Sequence, residues 1–577
     1  MTSLVTLLLL VADPLTTTAQ TSGWKQTGRV DEVERLCAAF PKRFPGKVKC
    51  ERFGVTPEGR PLLALIASAD GTFEPTAAVK KQRPVVLLVG GIHAGEIDGK
   101  DAGFWLLRAL LEGKQSPGLL GKVTLVFVPV FNADGHERFG ANQRPNQNGP
   151  EQLGWRVTSQ NLNLNRDWMK AEAPEMQAML RLLHKYDPIL FADLHATDGA
   201  KFQHDIAVML EPRFSATSAL NALGVELNEA LMKGLTALGH LPLDFYPSFD
   251  KEDEPLSGFR YGVPPPRFSH AYWAAHHRFA VLVETHSWKD YATRVKATYD
   301  VGLLMLEQAA ANGAAWRKAA QAAEAADLEL GGKEVALVWD NGPATRPLEF
   351  QGYAFTQEPS TVSGKKWVRY DDTKPQVWKE QLHTEVVPVL KARVPKAGWV
   401  VLPGHAALVG EKLKLHGFKF DILSRPVAQA AVQTFRVEKT KFRPTPYEGR
   451  LTVAVQGEWK DEAQDVPKGA LFVPSAQAHV GLLVHLFEPG GPDSLVAWGY
   501  FNAHFEQKEY LEDYLAEAFA REQLKDPKVL AEFNARLKDA DFAKSPEARL
   551  AFFSSRHPSR DDRLNLVPVF RAESFTP

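Results

Sequence analysis

Short, continuous apolar runs alternate with amphipathic segments over the first half of this 577-residue chain. The apolar runs span residues 84–92, 123–130, 189–195 and 279–284. Because they show little polar alternation, they are typical of strands buried on both faces, as in covered parallel sheets. The segments 98–112 and 172–186 carry apolar residues at helical spacing. We therefore predict an α/β fold with a mixed, mostly parallel sheet and helices on both of its faces.

The pattern changes at about residue 331. Short strand-like runs such as 336–339 then lie between turns rich in proline and glycine, and a helical end follows at 510–540. The chain is also too long for one core of ordinary size. We expect one domain at 23–325 and a C-terminal accessory region at 331–577. That region should be α+β or β-rich, with a β-rich first part, and the sequence assigns it no role.

A short apolar run lies near the start of the chain, at residues 4–12. It is too short to cross a bilayer. It resembles the core of a secretory signal, although the usual preceding positive charges are missing. We expect residues 1–22 to be a signal peptide and the protein to be secreted or periplasmic; the alternative is a disordered tail or a mis-assigned start. Export would allow Cys37 and Cys50 to form a disulfide, a pairing that the sequence leaves open.

Charge and cysteine content narrow the classes of function. Lys plus Arg number 68 and Asp plus Glu number 69, so the charge balance gives no reason to expect a nucleic-acid partner. No later segment is long and apolar enough for a transmembrane helix. The chain contains only two cysteines. A cysteine-rich zinc site is therefore excluded, and any metal must be held by histidine and carboxylate ligands.

Three of the apolar strands end on a residue that can perform chemistry. His93 follows the first run, His195 closes the third and Glu284 closes the fourth. Because strand ends on one edge of a sheet lie close together, we expect these side chains to meet. Glu96 follows His93 by three residues, and flanking glycines let the backbone curl so that both face one ion. With His195 they form the two-histidine, one-carboxylate set that zinc commonly takes in hydrolytic sites.

A hydrolase at this edge also needs a base and a donor for the developing oxyanion. Glu284 is the best candidate for the base because it ends its own strand there. The long polar loop at 132–167 faces the same edge and carries Arg156 and Arg166, each beside a tryptophan. We expect these arginines to contact the substrate.

The order of these residues resembles that of the M14-type zinc carboxypeptidases. That family has His-x-x-Glu after a strand, an arginine shortly before an Asn-Arg pair, a distant histidine and a late catalytic glutamate. The same pattern runs over about residues 25–315 of this chain, at His93, Glu96, Arg156, Asn165, Arg166, His195 and Glu284.

The resemblance implies a metal site and a base. One zinc ion per chain would be held by His93, Glu96 and His195. Glu284 would activate water and then carry the proton to the leaving amine. Protonation is needed because an amine cannot leave as an anion.

The resemblance also implies the substrate contacts. Arg156 would polarise the scissile carbonyl. Asn165 and Arg166 would grip the terminal carboxylate of the substrate, to which a bidentate arginine contact is well suited. The family usually has a tyrosine over the substrate, about twenty residues before the catalytic glutamate. Tyr261 fits that spacing slightly better than Tyr272.

The chain departs from the family pattern at several positions. Asn163 stands where a metal-supporting aspartate is usual, so its amide would accept from a ligand histidine without adding charge. Near Ser269, where the family's side-chain pocket is formed, no aspartate is present to select a basic terminus. His286 lies two residues after Glu284 and either tunes the base or plays no part.

We expect an enzyme that hydrolyses C-terminal peptide bonds with zinc and a glutamate base. Its partner would be a peptide or amide substrate with a free carboxylate. The alternative is a zinc amidase or deacylase acting on N-acyl amino acids or cell-wall peptides, since acyl amino acids also carry that carboxylate. A non-catalytic binding protein is disfavoured by the complete residue set. A serine hydrolase is disfavoured because no Gly-x-Ser-x-Gly elbow occurs. The oligomeric state stays open.

Overall fold

The computed structural model describes residues 13–576 of the chain. The apolar run at 4–12 lies outside the described residues, so the predicted signal peptide stays a prediction. Residues 13–22 pack onto the first half of the chain: Leu15 and Ala19 are buried, and the Thr18 hydroxyl donates to Glu32 Oε1 over 2.7 Å. Between residues 13 and 576, no helix is long and apolar enough to cross a membrane.

The first half of the chain contains nine helices and nine strands among the described residues. The helices are α1 (Thr18–Thr21), α2 (Val30–Arg43), α3 (Pro75–Lys80), α4 (Asp98–Leu111), α5 (Ala133–Glu137), α6 (Pro174–Tyr186), α7 (Ser218–Ala237), α8 (Ser269–Ala274) and α9 (Tyr291–Asp327). The strands are β1 (Val48–Val55), β2 (Pro61–Ala67), β3 (Val85–Gly90), β4 (Thr124–Val128), β5 (Leu190–Ala196), β6 (Ile206–Glu211), β7 (Pro242–Leu243), β8 (Phe259–Arg260) and β9 (Phe279–Thr285). Short 3₁₀ turns lie at Leu119–Gly121 and Leu164–Arg166.

One eight-stranded sheet organises this half, with the strand order β1-β2-β4-β3-β5-β9-β6-β7. The central strands β4, β3, β5 and β9 run parallel to one another. Antiparallel pairs occur towards the edges, between β1 and β2, β2 and β4, and β9 and β6. The predicted mixed sheet with a parallel centre is thus confirmed.

Helices cover both faces of this sheet, as its apolar strands require. Within β3, Val86 and Leu88 point into one core, which also holds residues of α2, α4, α7 and α9. Val85, Leu87 and Val89 point into a second core, which holds residues of α6 and α8. This alternation is why the strand sequence is apolar at every position.

The second half of the chain contains ten further strands and six further helices among the described residues. The strands are β10 (Glu334–Asn341), β11 (Thr345–Pro359), β12 (Lys366–His383), β13 (Val386–Arg393), β14 (Gly398–Val401), β15 (Asp421–Ile422), β16 (Val427–Phe442), β17 (Val453–Val466), β18 (Leu471–Pro474) and β19 (Val569–Ala572). The helices are α10 (Pro403–Leu415), α11 (Val480–Phe487), α12 (Asp513–Gln523), α13 (Pro527–Arg536), α14 (Ala540–Lys544) and α15 (Pro546–Ser554). A 3₁₀ turn lies at Asn502–Phe505.

The second half packs directly on the face of the large sheet that α6 and α8 cover. Its six-stranded sheet has the order β15-β18-β14-β19-β16-β17. Trp399 and Leu413 of this half belong to the same apolar core as Met176 and Leu180 of α6. A β-rich C-terminal region is therefore present, and it shares a core with the first half.

A long hairpin reaches back from the second half to the first. Strand β12 pairs with β11 and also, in parallel register, with the two-residue strand β8. Phe350 and Trp378 of the hairpin pack with Phe202 and Phe259 of the first half. The hairpin thereby fixes the segment that follows β8.

The structure answers the open question about the two cysteines. Cys37 of α2 and Cys50 of β1 are joined by a disulfide. The bond ties the first long helix to the edge strand of the large sheet.

Candidate metal and catalytic site

The turn between β3 and α4 places His93 and Glu96 at the carboxyl edge of the parallel strands. Strand β3 ends at Gly90, and Gly91 adopts a φ of 63°, a backbone angle that residues other than glycine rarely adopt. The Glu96 amide then donates to the His93 carbonyl over 2.9 Å and closes the turn. Both side chains are buried, with 4% and 2% of their surfaces exposed.

His195 completes a convergent set of metal ligands. It lies near the end of β5, which pairs with β3. Glu96 Oε1 is 3.1 Å from His93 Nδ1, and Glu96 Oε2 is 2.8 Å from His195 Nδ1. One ligand atom from each residue lies within 4.8 Å of the others. Two imidazole nitrogens and a carboxylate fit a catalytic zinc ion, which takes such a set and keeps one position open.

The outer nitrogens of both histidines have polar partners. His93 Nε2 lies 3.0 Å from Asn163 Oδ1, so the asparagine amide accepts from this histidine, as expected for the residue that stands where the family usually has an aspartate. His195 Nε2 lies 2.8 Å from Asp193 Oδ2. Burial disfavours a charged imidazole at His195, but Asp193 and Glu96 raise its pKa well above the usual range. These contacts orient the rings so that their Nδ1 atoms face Glu96.

Two arginines surround the Glu96 carboxylate. Oε1 is 2.9 Å from Arg144 Nη2 and 3.1 Å from Arg156 Nη1. Burial opposes ionisation of Glu96, but Arg144 and the two ligand histidines hold its pKa well below the usual range. The carboxylate is therefore charged and ready to bind a cation.

Arg144 is a site residue that the sequence did not reveal. It lies in the loop before Arg156, with no strand end or motif to mark it. It approaches closely because Gly95 has no side chain: a Cβ there would lie 2.5 Å from Arg144 Cγ. Arg144 also reaches Asp198, whose Oδ1 is 3.1 Å from its Nη2.

Glu284 is the direct neighbour of His195 in the sheet. The two residues are paired in the parallel register of β5 and β9. Glu284 is only 7% exposed, and its Oε2 has no hydrogen-bond partner among the described residues. Burial raises the pKa of Glu284 above its usual range. A cation at the adjacent ligand set would favour the charged carboxylate and lower that pKa again.

A cavity of about 500 Å³ opens beside this cluster. His93, Arg156, Asn165, Arg166, Tyr261 and Glu284 all line it. Asn165 and Arg166 lie in the 3₁₀ turn at Leu164–Arg166. The Asn165 amide oxygen accepts from the Ser269 backbone over 3.0 Å. The Arg166 guanidinium stacks on Phe268 at 4.2 Å. The sequence-predicted residues are thus brought together.

Two tyrosines, Tyr246 and Tyr261, line the cavity. Tyr261 lines the cavity, but its hydroxyl donates to Asp244 Oδ2 over 2.7 Å. Tyr246 also lines the cavity and is 45% exposed. The charge of Glu284, with burial, raises the pKa of Tyr246 above its usual range. Tyr246 escaped the sequence analysis because it precedes Glu284 by far more than twenty residues. Tyr272 is buried, outside the cavity lining, and its hydroxyl bonds to His416.

His286 belongs to the packing around the site and does not line the cavity. Its ring stacks on Phe202 with centroids 3.8 Å apart, and it is 2% exposed. Burial lowers the pKa of His286 to about 3, so it stays neutral.

Comparison with known families agrees with this arrangement. Residues 33–205 match the model of the family described as zinc carboxypeptidase, Peptidase_M14. The resemblance to the M14 zinc carboxypeptidases is confirmed. The match includes all three residues of the metal-ligand set, whereas Glu284 lies beyond it.

Curated relatives of the M14 type match part of the chain. Carboxypeptidase D of Mus musculus is 28% identical over 189 residues, which are 29% of this chain and 14% of that protein. The catalytic chain of carboxypeptidase N from Homo sapiens is 25% identical over 199 residues, 29% of this chain and 42% of that protein. An inactive metallocarboxypeptidase of Saccharomyces cerevisiae is 32% identical over 135 residues, 22% of this chain and 30% of that protein. The chain therefore spans less than half the length of these relatives.

Solved carboxypeptidase structures were also compared with this fold. A putative carboxypeptidase A from Shewanella denitrificans shares 18% identity with a TM-score of 0.36, covering 48% of this chain and 68% of that chain. Carboxypeptidase A from Helicoverpa armigera shares 16% identity with a TM-score of 0.35, covering 51% of this chain and 74% of that chain.

Proposed function

We propose that this protein is a zinc-dependent hydrolase that removes the C-terminal residue of peptides. The proposal rests on one observation above others. His93, Glu96 and His195 converge as possible metal ligands, and Glu284 is in strand register with His195. His93, Glu284 and Arg166 line the same cavity. The M14 family match agrees with metal-dependent hydrolysis.

His93, Glu96 and His195 would hold the zinc ion. When bound there, zinc supplies a Lewis acid that lowers the pKa of water to about 7 and polarises a carbonyl group. Asn163 and Asp193 hold the two ligand rings, and their removal would loosen the site.

Arg166 and Asn165 would bind the carboxylate of the substrate. Arg166 lines the cavity, and its guanidinium carbon lies 4.2 Å from the centre of the Phe268 ring. Its Nη1 donates to the Asn165 carbonyl over 2.8 Å, which fixes the position of the guanidinium at the cavity wall. A planar guanidinium suits a bidentate contact with a carboxylate. The substrate's terminal side chain would then enter the cavity, whose wall includes Met209, Leu282 and other apolar residues.

Glu284 would act as the base and as the proton carrier. Its unpartnered Oε2 lies at the cavity, next to the strand position of His195. In its charged form it accepts a proton from the attacking water. It then donates that proton to the departing amine, which restores the carboxylate. Arg156, which lines the same cavity, would donate hydrogen bonds to the developing oxyanion.

We infer export of the protein from two features. The apolar run at 4–12 is of the length of a secretory signal core. The disulfide between Cys37 and Cys50 is of a kind that persists in oxidising compartments.

A digest of a mixed peptide library, followed by mass spectrometry with and without a metal chelator, tests the proposed activity. Chelator-sensitive loss of single C-terminal residues is expected, with no loss from peptides whose C-terminus is amidated. Internal cleavage, or equal cleavage of amidated peptides, would contradict the proposal. If a protein with one zinc per chain cleaves no peptide but hydrolyses N-acyl amino acids, the amidase alternative replaces it.

A further inference from the structure

A second cluster of side chains that could bind a metal ion lies at the junction between the two halves of the chain. His277 follows α8, Asp327 ends α9 and His479 precedes α11. One possible ligand atom from each residue lies within 4.8 Å of the others, as is also true of His93, Glu96 and His195. None of the three lines the substrate cavity.

The contacts inside this cluster are of the same kind as those in the catalytic set. His277 Nε2 lies 2.7 Å from Asp327 Oδ2, as the catalytic histidines lie 2.8 and 3.1 Å from Glu96. The backbone amide of His479 donates to the same Asp327 oxygen over 2.6 Å. One carboxylate therefore holds two histidines that belong to different halves of the chain.

A simple ion pair between His277 and Asp327 would leave the imidazole nitrogens of His479 without a role. Its Nδ1 is buried and has no hydrogen-bond partner within residues 13–576. Its Nε2 is 3.9 Å from Glu324 Oε1, and Glu324 lies three residues before Asp327 on the same face of α9. A buried ring nitrogen without a partner is costly unless something binds it.

A further unpartnered nitrogen lies beside the cluster. His276 directs its Nδ1 to the Tyr272 carbonyl over 3.0 Å. Its Nε2 is buried and lacks a partner in the described part of the chain. The His276 and His479 rings have centroids 4.7 Å apart. Several imidazole nitrogens thus lie around one carboxylate, and no hydrogen-bond donor occupies them. Such a set of ligands suits a divalent transition metal.

We propose that His277, Asp327 and His479 bind a second zinc ion, which fastens the C-terminal region to the catalytic half. Zinc binds such ligands at about 2.0–2.2 Å, and the ion would replace the direct contact between His277 Nε2 and Asp327 Oδ2. The side chains of His277, Asp327 and His479 are 15%, 8% and 20% exposed, so solvent reaches the cluster. His277 lies seven residues before Glu284, and the ion would hold the start of β9 as well.

Zinc counting on the full-length protein tests this site. The chain is loaded with zinc, passed through a weak chelating column and analysed by mass spectrometry of metals. Wild type is expected to retain two zinc ions per chain. His195→Ala should retain one, held by the second cluster, and His195→Ala with His479→Gln should retain none.

A matched control uses another histidine pair in the second half. His405 and His504 lie with their Nε2 atoms 2.8 Å apart, away from the cluster. His405→Gln should keep both zinc ions, whereas His479→Gln should keep only one. Loss of an ion in His405→Gln would place the second metal at that pair and overturn the proposal.

His195→Ala leaves His277, Asp327 and His479 unchanged. The test therefore still works if His479→Gln fails to fold. One zinc in wild type and none in His195→Ala would overturn the second site and leave the proposed catalytic site standing. One zinc in His195→Ala that persists after Asp327→Asn would also overturn it. As a second measurement, chelator should lower the melting temperature of His195→Ala by a few degrees or more and leave that of the His479→Gln double variant unchanged.

Discussion

His195 of β5 and Glu284 of β9 are paired in adjacent parallel strands. Neighbouring strands lie about 4.8 Å apart, so the proposed metal ligand His195 and the proposed base Glu284 are held side by side by the sheet itself. The distance between them depends on backbone pairing and not on a loop. This pairing explains why two residues so far apart in sequence serve one site.

His195→Ala should release the catalytic zinc. The substitution removes one of three ligands and leaves Glu96 facing its arginines. The catalytic zinc should be lost, and hydrolysis should fall to background. Metal analysis alongside His405→Gln provides the check, and a His195→Ala protein that keeps the full wild-type zinc content would exclude the ligand role.

Asn163→Ala should weaken zinc binding without removing the site. Asn163 Oδ1 accepts from His93 and also from the Asn165 backbone over 3.0 Å. Loss of such an outer partner typically costs about 10–100-fold in metal affinity. Competition with a coloured chelator measures the change. An affinity equal to that of wild type would show that the amide does not support the ligand.

Arg166→Ala should raise the Michaelis constant for substrates with a free carboxylate. A lost charged hydrogen bond costs about 1.5–3 kcal/mol, which corresponds to a factor of roughly 10–200. Amidated analogues, if hydrolysed slowly, should be affected far less. Equal effects on both substrates would exclude recognition of the terminal carboxylate.

Stability should fall with rising pH because of Glu175 on α6. Its side chain is 0% exposed, and neither carboxylate oxygen has a hydrogen-bond partner in the described residues. Burial raises the pKa of Glu175 to about 7. In the unfolded chain a glutamate titrates near about 4.3, so the folded state holds a proton that the unfolded state releases.

The stabilisation from this bound proton is fully present below about pH 4 and is lost as the pH rises to about 7. The free energy of unfolding should fall by up to roughly 4 kcal/mol over that range. Glu175→Gln cannot titrate, so its stability curve should be flatter between those pH values. Chemical unfolding of both proteins at a series of pH values gives the comparison. Parallel curves would show that Glu175 is not the titrating group.

Local sequence pattern predicted the parallel centre of the large sheet well. The strands β3, β5 and β9 are apolar at every position because both faces are buried, and their chemical residues stand at the strand ends. Helix α9 runs from Tyr291 to Asp327, and the alanine-rich sequence of its second half favours helix.

Other features depend on distant contacts that no local pattern records. The hairpin of β11 and β12 is largely exposed and polar, so it lacks the apolar signal of a strand. Its pairing with β8 joins residues more than a hundred positions apart. Arg144 and Tyr246 reach the site through loops, and Arg144 is held there by contacts with Glu96 and Asp198 that are distant from it in sequence.

The proposed mechanism is tested most directly by Glu284→Gln, with zinc content and turnover of a free-carboxylate peptide measured on the same sample. The amide has nearly the same size but cannot take a proton, and general acid–base groups typically contribute about 10²–10⁴-fold. We expect wild-type zinc content and a loss of kcat in that range. Unchanged turnover with zinc bound would contradict the role of Glu284 and the mechanism built on it.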